Sequence, residues 1–259
     1  MGAWEPSRYL RYEEERTRPC IDLVRRIDLE APRRIVDLGC GPGNSTAVLR
    51  DRWPRAHLTG IDSSSEMLAR ARASPVDATW KEADLRTWSP RGKMDLVFSN
   101  AALQWVPDHQ TLIPRLLDRV ASGGALAFQV PANDERPGSW RAALARVVHR
   151  ARWRARFPRP PALPRTESLA TYYELLAPRS RRLDLWDTQY VHIMDGPEAI
   201  VDWVRGTGLR PWLDRLSDER ERAAFLADLG RSFAREYPAR SDDRTLFPFL
   251  RRFVVAYAR

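Results

Sequence analysis

Cysteine is almost absent: the 259 residues hold two, Cys20 and Cys40. Cys40 falls inside a glycine-rich turn, where a bridge would stiffen a segment that must receive a ligand, so both read as free thiols. No run of about 18 uncharged apolar residues occurs. The opening stretch MGAWEPSRYLRYEEER has no apolar signal core. Membrane spanning and export are therefore unexpected, and the cytoplasm is the expected compartment. Lysine is scarce too: Lys81 and Lys93 are the only two among 43 basic residues. An arginine bias spread over the whole chain reads as a coding preference rather than as an adaptation to phosphate.

What is present describes a globular protein. Apolar residues make up 43% and charged residues 30%, with ten Trp spread along the chain, enough for one large α/β domain carrying a smaller elaboration. The net charge of +9 sits mostly in the second half, where residues 136–182 hold twelve arginines against Glu167 and Glu174. A nucleic-acid interface is one reading of that segment. It carries no recognisable binding module, however, so a solvated basic face is preferred.

Hydrophobic patterning sets the architecture. PSRYLRYEEERTRP reads as a helix start with Ser7 as cap, and Pro19 as the first turn of a second helix reaching Ile27. RRIVDL reads as a buried strand, GCGPG as a turn, and NSTAVLRDRW as a helix capped by Asn44. AHLTGID, ATWKEAD, MDLVFSN and GALAFQVP follow as strands, with SSEMLARARA and HQTLIPRLLDRVAS as helices between them. Strands and helices alternating at this spacing imply parallel βαβ units. Beyond Val130 come a basic helical stretch, SWRAALARVVHRARWRARF, and the proline-rich connector PRPPALPR. A helix, TESLATYYELLA, capped by Thr166, is followed by a strand, RRLDLWDTQYVHIM. Two or three helices from Pro197 to Tyr237 and a last strand, RRFVVAYAR, complete the chain.

The glycine turn departs from two phosphate loops. A dinucleotide loop needs G-x-G-x-x-G, whereas Gly39, Gly41 and Gly43 give G-x-G-x-G, and no G-K-[ST] follows as a Walker loop would require. Asp37, just before the turn, would repel a pyrophosphate and attract an ammonium group. Asp62 ends the second strand, 19 residues past Gly43, where an acidic side chain takes the hydroxyls of a ribose. Asp84 ends the third; its carboxylate can accept from an exocyclic amine while the Leu85 amide donates to a ring nitrogen. Amino-acid end, ribose and adenine in that order describe S-adenosylmethionine, and no metal is expected.

Through VDLGCGPG, GIDSSSEML, EADLRTW and DLVFSNAALQWV, residues 30–135 resemble the class I S-adenosylmethionine-dependent methyltransferases. A nearly end-to-end resemblance runs through WEPSRYLRYEEERTRP, LGCGPGNST, SNAALQWVPDH, DLWDTQYVHIM, DWVRGTGLRPWL and FPFLRRFVVA, which look like the trans-aconitate methyltransferases. The resemblance implies an α/β fold with a doubly wound, mostly parallel seven-stranded sheet and an added helical cap over the active site. It divides one methyltransferase domain into an N-terminal helical lid (1–29), a cofactor-binding core (30–135), cap insertions (136–180 and 196–240) and the last strands (181–195 and 250–259). The implied activity is monomethylation of a small polycarboxylic acid, trans-aconitate first, by a monomer, with a dimer as the alternative.

Cofactor contacts are expected from Arg16, Asp37, Gly39, Gly41, Gly43, Asn44, Asp62, Ser63, Met67, Asp84, Leu85 and Asn100. A carboxylate is already nucleophilic at neutral pH, so no acid or base is assigned; positioning is the catalysis. The acceptor is expected to meet Gln104, Trp105, Tyr173, His192, Arg210 and Arg251, the last preferred over Arg252 because neighbours on a strand face opposite ways. Tyr9 and Arg16 belong to the expected lid. The family pattern P-[ST]-H is replaced here by Ser139 and Trp140, which leaves open a different or more apolar acceptor, methylated on oxygen or nitrogen.

Overall fold

The apolar run RIVDL forms β1 (Arg34–Leu38), whose last four residues are buried, as a strand covered on both faces requires. Two strands flank it in parallel: β2 (His57–Asp62), which places Asp37 beside Gly60, and β4 (Met94–Asn100), which places Asp37 beside Phe98. β3 (Thr79–Glu82) pairs with β2, and β5 (Val120–Pro131) pairs in parallel with β4. β7 (Thr245–Ala258) runs antiparallel to β5. With β6 (Ser180–Met194), the seven strands take the order β3-β2-β1-β4-β5-β7-β6, the doubly wound, mostly parallel sheet expected. The chain moves outward from β1 to β3 and returns on the other side of β1 as β4. Open α/β sheets bind ligands beyond the carboxyl ends of the strands at such a reversal.

The computed structural model describes residues 13–132, 136–161, 166–206 and 208–259, with side chains from residue 17 onward. Ser7 and Tyr9 lie outside the described residues. Two compact units are built from this chain. The sheet unit comprises Arg16–Ala132, Pro164–Thr188 and Leu250–Arg259; the helical unit is built on Asn133–Leu163 and Gln189–Phe249. No helix among the described residues is long and apolar enough to cross a membrane.

Five helices belong to the sheet unit. α1 (Glu13–Arg26) is continuous through Pro19, where the sequence suggested a new start. A proline inside a helix costs about 3 kcal/mol, but Cys20, Leu23, Val24 and Ile27 beyond it are all buried, at roughly 1.5–3 kcal/mol for each large aliphatic, and this face holds the turn in place. α2 (Asn44–Arg52) takes Gly43, at φ 100°, as its N-cap, with no capping side chain; Asn44 is thus the first helical residue and not the cap. α3 (Ser65–Ala73) is capped by the Ser64 hydroxyl, which accepts from Met67 N at 3.3 Å.

α4 (His109–Leu117) buries Leu112, Ile113, Leu116 and Leu117, and β5 begins at Val120, so VAS belongs to the strand and not to the helix. α7 (Leu169–Leu176) is capped by Ser168, whose Oγ accepts from Thr171 N at 3.0 Å. Thr166, the expected cap, instead donates to the Pro131 carbonyl at 3.0 Å.

The helical unit contains α5 (Trp140–Val148), α6 (Ala151–Arg154), α8 (Pro197–Arg205), α9 (Arg210–Leu213) and α10 (Glu219–Glu236). The basic stretch read as one helix breaks at Arg150, which turns extended (ψ 145°) before α6. Rings fill this unit: Trp153 meets Phe225 edge-on at 5.0 Å, and Phe157 meets Trp212 at 5.1 Å. Trp153 Nε1 donates to Asp228 at 2.7 Å. Trp140 lies in the same core, its ring 2.5 Å from where a Cβ on Gly208 would fall. Trp140 therefore packs against a glycine. Several arginines of the basic segment pair with acids: Arg146 with Glu236, Arg156 with Glu221, Arg179 with Asp118 and Arg182 with Asp28.

Candidate active site

A cleft of about 440 Å³ opens beyond the strand ends of the sheet unit, lined among others by Gly39, Asp62, Ser63, Asp84, Leu85 and Trp105. Six of the expected residues thus meet in one place. The loop after β1 is fixed by backbone bonds, with the amides of Gly39 and Cys40 donating to the Ile61 carbonyl at 2.7 and 2.9 Å. Gly39 has φ +74°, and a Cβ there would lie 2.2 Å from the Ala102 Cβ, so only a bare backbone lets the two sides of the cleft approach. Cys40, buried in this loop, directs Sγ toward the Gly41 carbonyl at 3.7 Å.

Asp62 organises the tip of β2. Its Oδ2 accepts from Gly41 N and its Oδ1 from Ser64 N, both at 2.9 Å, tying the glycine loop to the start of α3. Each oxygen keeps accepting capacity toward the cleft. Asp84 stands two residues beyond the end of β3 and is grasped by Arg86, Nε and Nη2 reaching Oδ2 at 2.8 and 2.5 Å. This hydrogen bonding holds the Asp84 carboxyl below its ordinary range. Arg115 on α4 clamps the same loop from beneath, donating to the carbonyls of Leu85 and Trp88 at 2.7 Å each. Arg86 and Arg115 escape a motif reading: the first is visible only as proximity to Asp84, the second has no local signal.

Asp37 is placed differently from the other two acids. It is buried beneath the loop, where Oδ2 accepts from the Ser45 and Thr46 hydroxyls at 2.6 and 2.7 Å, while buried Oδ1 has no hydrogen-bond partner among the described residues. Burial pushes its pKa up to about 6, against the pull of the two hydroxyls. Gly41, Gly43, Asn44 and Met67 belong to the same loop and to the helices behind it. Asn100, at the end of β4, accepts from Gln129 Nε2 at 2.5 Å, and Gln129 Oε1 lies 3.4 Å from Arg251 Nη1. The Arg16 side chain lies outside the described residues.

Beyond β4 the chain turns sharply, with Ala101 at φ 54°, into a 3-10 turn over Leu103–Trp105. Trp105 lines the cleft and is 54% exposed. Gln104 is buried, its Nε2 donating to the Ala101 carbonyl at 2.6 Å and its Oε1 lacking a hydrogen-bond partner among the described residues. Tyr173, on α7, is 56% exposed. His192 and Arg210 belong to the helical unit. The His192 ring is buried 4.8 Å from that of Trp203 and near Phe247 and Phe249. Arg210 opens α9 on the surface, 3.9 Å from Asp214.

A buried acid just before a G-x-G-x-G turn, acids at the tip of β2 and just beyond β3, and this strand order define the class I methyltransferase fold. Solved structures share it: the YcgJ protein of Bacillus subtilis aligns with a TM-score of 0.62 at 13% identity over 93% of this chain and 99% of its own. Haemonchus contortus phosphoethanolamine N-methyltransferase 2, solved with phosphomonomethylethanolamine and S-adenosylhomocysteine, aligns at 0.54 with 15% identity over 93% of this chain and 53% of its own. The sequence profile described as "Methyltransferase domain" matches residues 12–193. Trans-aconitate 2-methyltransferase of Azoarcus sp. is 48% identical over 99% of both chains. The chain belongs to the trans-aconitate 2-methyltransferase family.

Proposed function

We propose that the protein is an S-adenosylmethionine-dependent carboxyl O-methyltransferase that forms a monomethyl ester on trans-aconitate. The observation that carries this reading is the 48% identity to a trans-aconitate 2-methyltransferase over nearly the whole of both chains. The site suits the cofactor on independent grounds. Beneath the glycine loop that borders the cleft, Asp37 holds a buried carboxylate oxygen with no hydrogen-bond partner among the described residues, the complement of an ammonium group. Asp62 and Asp84 add acceptors for ribose hydroxyls and an exocyclic amine, and Gly39 keeps the floor bare.

When bound, the cofactor supplies an electrophilic methyl group on a sulfonium centre. The chain's work is to hold an acceptor carboxylate oxygen in line with that methyl group at about 3 Å and to exclude water, effects worth up to roughly 7–11 kcal/mol. The acceptor carboxylate would take that methyl group with its own lone pair, leaving the sulfur neutral, so no residue of the chain would have to accept or supply a proton. In this reading the Gln104 amide, with one N–H left after its bond to Ala101, and the buried Arg251 guanidinium donate to the acceptor's carboxylates, while Trp105 covers the methyl from solvent. Such charge-assisted bonds contribute about 1.5–3 kcal/mol each.

Incubation with methyl-labelled cofactor and trans-aconitate tests the reading. The expected product is a base-labile monomethyl ester; no turnover with any di- or tricarboxylate would overturn it. The substitution at Trp140 gave the sequence its argument for a different acceptor, and with that ring in the helical core no observation favours the alternative.

A further inference from the structure

His109 and Tyr172 stand 63 residues apart in sequence and form a buried joint inside the sheet unit. His109 Nδ1 lies 2.7 Å from the Tyr172 hydroxyl, and Nε2 lies 2.9 Å from the Leu103 carbonyl. A carbonyl only accepts, so Nε2 carries a proton and donates to Leu103. In the neutral ring Nδ1 then accepts from the Tyr172 hydroxyl, which itself accepts from the Glu167 amide at 3.3 Å. Phe128 on β5 meets the Tyr172 ring edge-on at 5.2 Å, and both His109 and Tyr172 are buried.

Leu103 is the first residue of the turn that carries Gln104 and Trp105, and Tyr172 precedes Tyr173 on α7. One joint therefore holds two elements expected to face the acceptor. The turn leaves β4 through a residue at positive φ; its local bonds run from Trp105 N to Ala102 O, from Val106 N to Leu103 O and from Gln104 Nε2 to Ala101 O, and the His109 bond ties it to α4. Asp62 and Asp84 are fixed by other partners, Gly41, Ser64 and Arg86.

We propose that His109 is a positioning residue that, with Tyr172, sets the Leu103–Trp105 turn, and that its bond to Leu103 governs acceptor turnover far more than cofactor affinity, which rests chiefly on Asp62 and Asp84. The inference rests on the methyltransferase reading for its kinetic test only. Two variants divide the ring's functions. Gln at this position can place an N–H where Nε2 stands and so keep the Leu103 bond, whereas Asn reaches only the Nδ1 position and keeps contact with Tyr172 alone.

His109→Asn is expected to lower kcat/KM for the acceptor about 10–100-fold, as a displaced contact on the order of 1 Å does. S-adenosylhomocysteine Kd should stay within about twofold, and His109→Gln should restore most of the activity. A merely structural histidine would give equal losses in both variants, tracking folding stability. Equal losses, no loss in either, or a loss that follows cofactor Kd would each overturn the proposal. Hydrogen exchange at the Trp105 and Val106 amides provides a readout that needs no acceptor: faster exchange in His109→Asn than in His109→Gln is expected, and equal rates would overturn the proposal. If the wild-type protein leaves trans-aconitate unmethylated, the reading of the acceptor fails and these exchange rates still decide the role of His109.

Discussion

The two compact units fill their interiors with different chemistry. Of twenty buried residues in the main cluster of the sheet unit, three are aromatic (Trp88, Phe128 and Tyr172) and the rest aliphatic. In the helical cluster, nine of twenty are aromatic. A parallel sheet is already aligned by its backbone ladder, and small branched side chains suffice to pack helices on it. The five helices among the described residues of the helical unit, two of them single turns of four residues, have no ladder between them, and large rings supply the contact area instead. Order in the sheet unit thus rests on hydrogen bonds that also shape a ligand site, whereas order in the helical unit rests on ring packing.

The largest predicted effect tests that difference from the helical side. Trp153→Ala removes a buried ring and the donor to Asp228, and should lower stability by about 3–5 kcal/mol in denaturant titration. S-adenosylhomocysteine affinity at low temperature should stay within about threefold of wild type; a matching loss of affinity would dissolve the distinction between the units.

Asp37 gives the next effect, with opposite signs on folding and binding. Its folded pKa of about 6 lies above its ordinary 3.8, so the native state holds the proton more tightly than the unfolded chain. The cost of ionisation is absent below pH 3.8, grows as pH rises to about 6, and reaches about 3 kcal/mol at pH 7. Asp37→Asn should therefore raise the Tm of the ligand-free protein at pH 7 while weakening cofactor binding at least about tenfold. In the wild type, cofactor Kd should tighten as pH rises from 5 to 7, with proton release seen by calorimetry in buffers of different ionisation enthalpy.

Asp62→Ala should raise cofactor Kd roughly 10–100-fold, since charge-assisted bonds contribute about 1.5–3 kcal/mol. Its melting curve should change less, because the strand below remains paired. The smallest effect belongs to Arg86→Ala: its pair with Asp84 is exposed, and such pairs contribute about 0–1 kcal/mol. Cofactor Kd should stay within about threefold. A much tighter complex would show that Arg86 competes for the carboxylate that the adenine amine needs.

The sheet was legible from its strands because RIVDL, DLVFSN and GALAFQV are buried on both faces and read as short apolar runs between turn residues. That Gly39, Asp62, Ser63, Asp84 and Leu85 line one cleft was legible because they stand at or just past strand ends, at fixed distances from the glycine turn. Local sequence misplaced caps where a backbone conformation decided the matter: Gly43 at positive φ starts α2 without a side chain, and Ser168 displaced Thr166 once Thr166 found Pro131. Long-range pairings left no trace at all. Nothing near His109 in the sequence announces Tyr172, and nothing near Arg115 announces the loop after β3, because their spacing is set by the path of the chain around the sheet. Arg210 shows the converse: a motif marked it, and the structure places it at the surface of the helical unit.

The thiol of Cys40 lends itself to a use of its own. Both cysteines are free and buried, and burial, reinforced by the charge of Asp37, pushes both thiols well above the ordinary range. In the closed protein neither is a thiolate that can attack a reagent. Alkylation must wait for the chain to open, Cys20 for the departure of a helix and Cys40 for the lifting of the glycine loop. The protein therefore carries two native chemical clocks. The rate at which the second runs, with and without ligand, reports how often the floor of the cleft comes apart.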